Sequence, residues 1–407
     1  MFAMRGNGFA RQVRARLALI VAALFVVLAG VTGCSHQLFQ EFKLVYSPGQ
    51  DATAVSPSGN ISVKAEGGTL DNVTLTSESG TKVTGELNPA KDEFHVTEAL
   101  GYGKKYTWSG TAKDGDKDVK VEGSFTTVNP DSQTFGTLNI ADGATVGIAA
   151  PIILQFDSHV EDKAAVERAL TVKTDPPTEG SWAWLPDDNG SRLHWRPKEY
   201  WKPGTKVQVE AKIYGVNFGG GAYGGEDLSL GFTIGRSQIV KADASSHRMQ
   251  VVRDGQVVMD FAVSYGAADE DRNTTRSGIH VVSEMHESFK MSNPPFYRDV
   301  QEYYAVRISN NGEFIHANPA TVGVQGSINV SNGCINLNMD DAANYFASAM
   351  YGDPVEVTGT AIELSAADGD IYDWTMDWDT WKSMSALDGS PSQVVSAPAK
   401  SPAPIGG

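Results

Sequence analysis

Cysteine is scarce in this chain: Cys34 and Cys334 are the only two among 407 residues. A disulfide-stapled scaffold is thereby excluded, because such scaffolds need several pairs. Positive charge is short as well, with 33 Lys and Arg against 49 Asp and Glu and a formal charge of −16. That excludes a non-specific nucleic-acid binder, which must present basic patches to phosphate. Long apolar runs are missing too, since the stretch from Leu17 to Val31 falls short of the ~20 residues a membrane span requires. What is present is ordinary globular material, 41% hydrophobic and 20% charged, at a length that suggests about two to four domains.

The first 33 residues stand apart. Arg5, Arg11, Arg14 and Arg16 form a positive head without an acidic residue, the apolar run follows, and it ends at Val31-Thr32-Gly33-Cys34. Small residues before a cysteine resemble the bacterial lipobox. That resemblance implies removal of residues 1–33, acylation of Cys34, and anchoring at the outer face of the cytoplasmic membrane in the cell envelope. A plain signal peptide with an incidental cysteine is the alternative. Loss of the four arginines takes the formal charge from −16 to −20. With Cys34 acylated, Cys334 has no intramolecular partner. It is then either a small buried hydrophobe or a reactive thiol.

Residues 34–50 read as anchor and spacer. From 51 to 128 short alternating stretches such as Asn60-Ile61-Ser62-Val63-Lys64 and Tyr106-Thr107-Trp108-Ser109-Gly110 lie between turn residues, the pattern of a β-sandwich. The Asn129-Pro130-Asp131 break opens a second sandwich, 129–236, with strands at 145–157, 193–196, 206–213 and 228–234. Its Trp182, Trp184, Trp195 and Trp201 read as core aromatics rather than a carbohydrate platform. Gly219 to Gly225 lacks the strand-to-helix context of a phosphate cradle, and no metal or other cofactor is expected. A third domain, 237–360, starts with strands at 239–243, 248–253 and 256–264, the last two joined by an Asp254-Gly255 hairpin turn. Its one main helix is predicted over 338–351, capped by Asn338, with Ala343, Phe346, Ala347 and Met350 facing inward. Residues 361–386, with Trp374, Trp378 and Trp381, form a C-terminal extension expected to pack on this third domain. Residues 387–407 have the composition of a disordered tail.

Cys334 lies in Asn329-Val330-Ser331-Asn332-Gly333-Cys334-Ile335-Asn336. Small, turn-forming residues put it at a bend where N–H groups of Asn332, Gly333 and Cys334 can face an oxyanion. A thiol acts as a nucleophile when a neighbour such as histidine stabilises the thiolate. His247, His280, His286 and His316 share its domain. His316 stands out by following the strand-like Gly312-Glu313-Phe314-Ile315 and opening a loop, though a satisfied core or surface histidine remains open.

His316 and Cys334, with seventeen residues between them and the latter inside Ser-x-Gly-Cys-Ile-Asn, resemble the signature of the L,D-transpeptidase (YkuD-type) family over residues 239–357. The two preceding sandwiches, the lipobox and Asp373-Trp374 with Trp378-Asp379-Thr380-Trp381 further resemble its mycobacterial members. The resemblance implies a mainly β chain: two immunoglobulin-like β-sandwich domains, then a YkuD-like β-sandwich catalytic domain with one main helix and the extension. It assigns Cys334 as nucleophile, His316 as base, the backbone carbonyl of Ala317 as the group orienting that base, and Gly333 and Asn332 as oxyanion donors. Ser331 and Asn336 match the motif, while Tyr297 and Met291 resemble the flap residues over the donor peptide. Two departures stand out. Asn332 occupies a position where the family usually has histidine, and the stretch from Met291 to Tyr297 is short.

The implied reaction is acyl transfer through a Cys334 thioester, joining diaminopimelate residues of peptidoglycan stem peptides in 3→3 cross-links, a step of cell-wall biogenesis and cell shape. Carbapenems are the implied inhibitors, and the protein is expected to be a monomer on a sandwich stalk. The alternatives are an L,D-carboxypeptidase, in which water takes the acyl group, and a weakly active or inactive wall-binding scaffold lipoprotein.

Overall fold

A computed structural model describes residues 41–387. Cys34, the signal segment and the tail from 388 onward therefore lie outside the described residues. The described chain divides into two units.

The first unit, residues 41–53, 60–99 and 104–126, holds a four-stranded sheet (Lys43–Ser47, Ser62–Glu66, Glu93–Val96, Gly85–Leu87) and a three-stranded one (Thr69–Ser77, Lys105–Asp114, Lys117–Thr126). Period-two alternation sets its faces. In Lys105–Asp114, Tyr106, Trp108 and Ala112 are buried while Thr107 and Ser109 are exposed. Phe94 meets Trp108 edge to face at 6.0 Å. One boundary needs correction: Lys43–Ser47, assigned above to the spacer, pairs with Ser62–Glu66 as an edge strand. Its Leu44-Val45-Tyr46 supplies the β-branched and aromatic character that a linker would lack.

The second unit contains residues 54–59, 100–103 and the described chain from 127 onward. Its sandwich sets Thr145–Val146, Leu228–Ile234, Lys206–Ala211 and Leu170–Asp175 in one sheet, and Gly180–Leu185, Arg192–Pro197, Ile152–Phe156 and Gly136–Leu138 in the other. Trp182, Trp184, Trp195 and Trp201 are all core, with Trp195 stacked on Trp201 at 5.0 Å. Lys206–Ala211 alternates exposed and buried residues, as a sheet with one wet face should. Gly180–Leu185 and Arg192–Pro197, by contrast, are buried at every position.

The cover over those two strands is the C-terminal extension. Trp381 clusters with Ala183, Leu185 and Tyr372 and donates Nε1–H to the Ser181 carbonyl at 2.9 Å. His194 Nδ1 lies 2.9 Å from Asp373 Oδ1, both fully buried. The Arg196 guanidinium stands 4.7, 5.4 and 4.8 Å from the rings of Trp374, Trp378 and Trp381, a cation–π arrangement favoured by desolvation. The expectation that 361–386 packs on the catalytic domain is thus corrected. Leu364 and Asp368 do bond the third domain, at the Ser277 carbonyl and Arg276 Nε, but residues 372–386 close the outer face of the second sandwich.

The third domain has nine strands, labelled β1 (Gln238–Asp243), β2 (Arg248–Arg253), β3 (Gln256–Ala262), β4 (Gly278–Val281), β5 (Glu284–Asn293), β6 (Tyr297–Arg307), β7 (Phe314–Ala317), β8 (Ile335–Leu337) and β9 (Pro354–Thr358). They form two sheets, β3-β2-β1-β9-β4 and β5-β6-β7-β8, around Val240, Val251, Tyr265, Ile315, Ile335 and Val355. Asp254 and Gly255 both take positive φ, 48° and 78°, the two-residue turn whose twist suits a hairpin. Helix α1 spans Met339–Phe346, with Asn338 Oδ1 accepting the Asp341 N–H at 2.9 Å. It ends five residues before the predicted Tyr351. Met350 N–H leaves the helical ladder for Asp353 Oδ2 at 3.0 Å, and that buried carboxylate is clamped by Arg236 through two 2.8 Å contacts. The inward face is also one residue out of the predicted phase, with Ala342 and Tyr345 buried and Ala347 exposed.

Candidate active site

Strands β7 and β8 run parallel, pairing Ile315 with Ile335 and His316 with Asn336. A histidine on β7 and the residue just before β8 are therefore brought to one sheet edge. Cys334 is 8% exposed, in a small apolar cluster with Met291, Ala305 and Phe314. The β5–β6 hairpin covers it, bringing Tyr297 and Met291 to the same cavity of about 230 Å³ with Glu302, His316, Ser331, Asn332, Cys334 and Asn336.

His316 Nδ1 lies 3.0 Å from the Ala317 carbonyl oxygen and 3.0 Å from Glu302 Oε2. Cys334 lines the same cavity as this ring, and its thiol donates to the Gly312 carbonyl oxygen at 3.6 Å. Burial opposes charge on this imidazole, but the hydrogen bonds and charges of Cys334 and Glu302 outweigh it and raise the His316 pKa to about 10. Of the other three histidines, His280 is buried between the Arg276 and Ile308 carbonyls, His247 bonds Asn329, and His286 bonds Glu284.

The loop before Cys334 is pinned along its length. Asn329 Oδ1 accepts the Tyr265 N–H and its Nδ2 donates to the Ala244 carbonyl, both at 3.0 Å. Ser331 N–H donates to the Tyr265 carbonyl at 2.9 Å. Ser331 Oγ donates to the Cys334 carbonyl at 2.6 Å and accepts the Gly333 N–H at 3.1 Å. Thr275 Oγ1 donates to the Gly333 carbonyl at 2.8 Å. Gly333 has φ +117°, a conformation in which a side chain is strained.

The backbone N–H groups around the thiol differ in their partners. The Gly333 N–H is taken by Ser331 Oγ, whereas the N–H groups of Asn332 and Cys334 have no bond to another described residue. Asn332 turns its side chain toward Arg272 Nη1 at 3.5 Å, and Arg272 in turn stacks on Phe296 at the hairpin tip, 3.8 Å from the ring centre. Asn336 is 1% exposed, and neither atom of its side-chain amide has a hydrogen-bond partner among the described residues. Tyr297 is half-buried, and burial raises its phenol pKa, helped by the charges of Cys334 and Glu302. Glu302 and Thr275 carried no sequence signal; both arrive through tertiary pairing.

Removal of the Ser331 hydroxyl should be costly, because it leaves a buried N–H and a buried carbonyl without their partner. Ser331→Ala is expected to lower the free energy of unfolding by about 1–3 kcal/mol, measured by urea denaturation. A loss within experimental error would show that the loop is held without this bond.

A thiol and an imidazole thus meet at adjacent parallel strand ends of a β-sandwich, under a hairpin. Residues 237–357 match the L,D-transpeptidase catalytic domain, and residues 52–217 match a bacterial Ig domain. The chain is 58% identical over 348 residues to L,D-transpeptidase 5 of Mycobacterium tuberculosis, covering 85% of this chain and 77% of the relative. It is 34% identical to L,D-transpeptidase 2 of Mycobacterium tuberculosis, covering 84% and 85% respectively. Among solved structures, an L,D-transpeptidase in complex with imipenem is similar with TM-score 0.46 and 32% identity, covering 55% of this chain and 97% of that one. The chain belongs to the L,D-transpeptidase family.

Proposed function

We propose that this chain is a peptidoglycan L,D-transpeptidase that forms 3→3 cross-links through a Cys334 thioester. The observation that carries the reading is that Cys334 and His316 line one cavity together with Tyr297, Met291 and Asn336. The Cys334 thiolate attacks the carbonyl carbon of the third stem residue, a diaminopimelate, in a donor tetrapeptide. The Asn332 and Cys334 N–H groups face the developing oxyanion. His316 Nε2 gives its proton to the nitrogen of the departing D-alanine as that C–N bond breaks. The side-chain amine of a second diaminopimelate then attacks the thioester, loses a proton to His316, and the C–S bond breaks to release the thiolate beside the reprotonated imidazole. The unpartnered Asn336 amide is suited to hold a stem-peptide amide.

A carbapenem, whose β-lactam carbonyl opens on thiolate attack, should acylate the same sulfur. Cys34 is the proposed lipid attachment, which would hold the protein at the outer face of the cytoplasmic membrane. The deciding experiment incubates the protein with a carbapenem and, separately, with diaminopimelate-containing tetrapeptide, and reads intact mass and products. Cross-linked dimer with D-alanine release is the expected result. Release without dimer would make the protein an L,D-carboxypeptidase, and neither adduct nor release would leave it a wall-binding scaffold.

A further inference from the structure

The hairpin strand above the site contains an irregularity whose effect falls on the histidine. Between β6 and β7 the pairing runs Arg307 with Phe314 and Val306 with Ile315, and then jumps to Tyr303 with Ala317. Three steps on β6 answer two on β7, so one extra residue is inserted, and Tyr304 takes φ +52° there. A bulky residue in the left-handed region is unusual and is held by its surroundings.

An inserted residue inverts the facing of everything upstream on its strand. Continued without the bulge, the Val306–Ile315 register would put Tyr303 and Ala305 on the face of His316 and turn Glu302 away. With it, Glu302 shares the face of His316 and sits diagonally across from it. Its Oε2 reaches Nδ1 at 3.0 Å, with side-chain exposures of 4% for His316 and 14% for Glu302. The titratable groups facing the imidazole are Glu302 and Tyr297 from β6 and Cys334 from the loop before β8. The described cavity lining contains no lysine or arginine, so no cation neutralises Glu302 there.

We propose that Glu302 is a positioning residue for the transfer reaction: re-aimed by the bulge, its carboxylate shares the His316 Nδ1–H with the Ala317 carbonyl, holds the ring so that Nε2 is free for the reacting groups, and stabilises the imidazolium. The inference rests on the cysteine–histidine reading above and adds to it. The backbone carbonyl alone can orient the ring but brings no charge. A carboxylate at hydrogen-bond distance also stabilises the imidazolium, which is the species that must protonate the departing amine. The raised pKa of His316 agrees with this, since burial by itself acts in the opposite direction.

Glu302→Gln keeps an oxygen acceptor for Nδ1–H and removes only the charge. The full chain and this variant are compared in two assays across pH. Iodoacetamide alkylation, followed on the Cys334-containing peptide by mass spectrometry, reports the thiolate without any substrate. D-alanine release from the tetrapeptide reports the protonated histidine. The sign follows from the charge: without Glu302 the imidazolium loses its proton at lower pH. The high-pH limb of D-alanine release should therefore move down by about 1–2 pH units, and alkylation near neutral pH should slow about tenfold.

Curves that superimpose on wild type would overturn the proposal. So would an equal loss at every pH, which is the mark of a packing role. Wild-type protein that alkylates but releases no D-alanine would sink the transpeptidase reading, and the alkylation arm would still decide the role of Glu302. Should the glutamine variant fail to fold, the His316 Cε1–H resonance is titrated in full-length Cys334→Ser protein. A proton retained well above the ordinary imidazole range supports Glu302, and an ordinary titration overturns it.

Discussion

Cys334→Ser should abolish the carbapenem adduct and lower D-alanine release by at least about 10⁴-fold, the scale seen when a nucleophile is removed from a site whose members act as a unit. Serine is smaller than cysteine by little and keeps a donor toward the Gly312 carbonyl, which the sulfur approaches at 3.6 Å. The pinned loop from Asn329 to Gly333 does not depend on the sulfur, since its bonds run to Tyr265, Ala244 and Thr275. Folding should therefore survive and the loss should be chemical. An alkoxide is far harder to generate than a thiolate, and an imidazolium beside Glu302 is a poor acceptor for a hydroxyl proton. Intact mass after carbapenem treatment and a D-alanine assay check both halves. Residual release within about tenfold of wild type would mean that another group carries the acyl chain.

Trp381→Ala is expected to cost about 3–5 kcal/mol, the range for deleting a large buried aromatic. Trp381 is fully buried and does three things at once. It fills the space over Ala183 and Leu185, donates to the Ser181 carbonyl, and offers one of the three ring faces to Arg196. Truncation leaves a cavity, an unpaired carbonyl and a less-covered cation together. Trp381→Phe should retain most of the packing and one ring face, so its cost should be clearly smaller. Urea unfolding of the full chain measures both. A Trp381→Ala loss below about 1 kcal/mol would show that the extension is only loosely seated.

Local chemistry made much of this legible. Asp254-Gly255 can hardly form anything but a tight hairpin turn, and Asn338 ahead of Asp340 and Asp341 marks a helix start from the sequence alone. The four tryptophans of the second sandwich were readable as core because large aromatics within a β-sandwich pattern usually fill its interior. His316 and Cys334 were picked out by the family signature they resemble, since the residues alone left His316 one candidate among four histidines, and the structure places both on one cavity. The features that escaped depend on partners far away in sequence. Arg192, His194 and Arg196 alternate with Leu193 and Trp195 and look like a wet strand face; the docking of residues 370–386 covers them, beginning with the Asp370–Arg192 pair at 2.8 Å. Helix α1 stops early because Asp353, after the helix, captures a backbone N–H. Glu302 was invisible because its direction depends on one inserted residue at Tyr304, and strand parity cannot be counted across an unseen bulge.

The return of the last described residues onto Gly180–Leu185 and Arg192–Pro197 also bears on how the chain acquires its shape. His194 waits 179 residues for Asp373, and Ser181 waits 200 for Trp381. Contacts of that separation are entropically late, because a long intervening loop must close before they reward the chain. A chain made from its N-terminus therefore carries a sandwich with one bare face, arginines and a histidine included, through the whole synthesis of the catalytic domain. The second sandwich is begun early and finished last, after the residues that hold the thiol are already in place to fold.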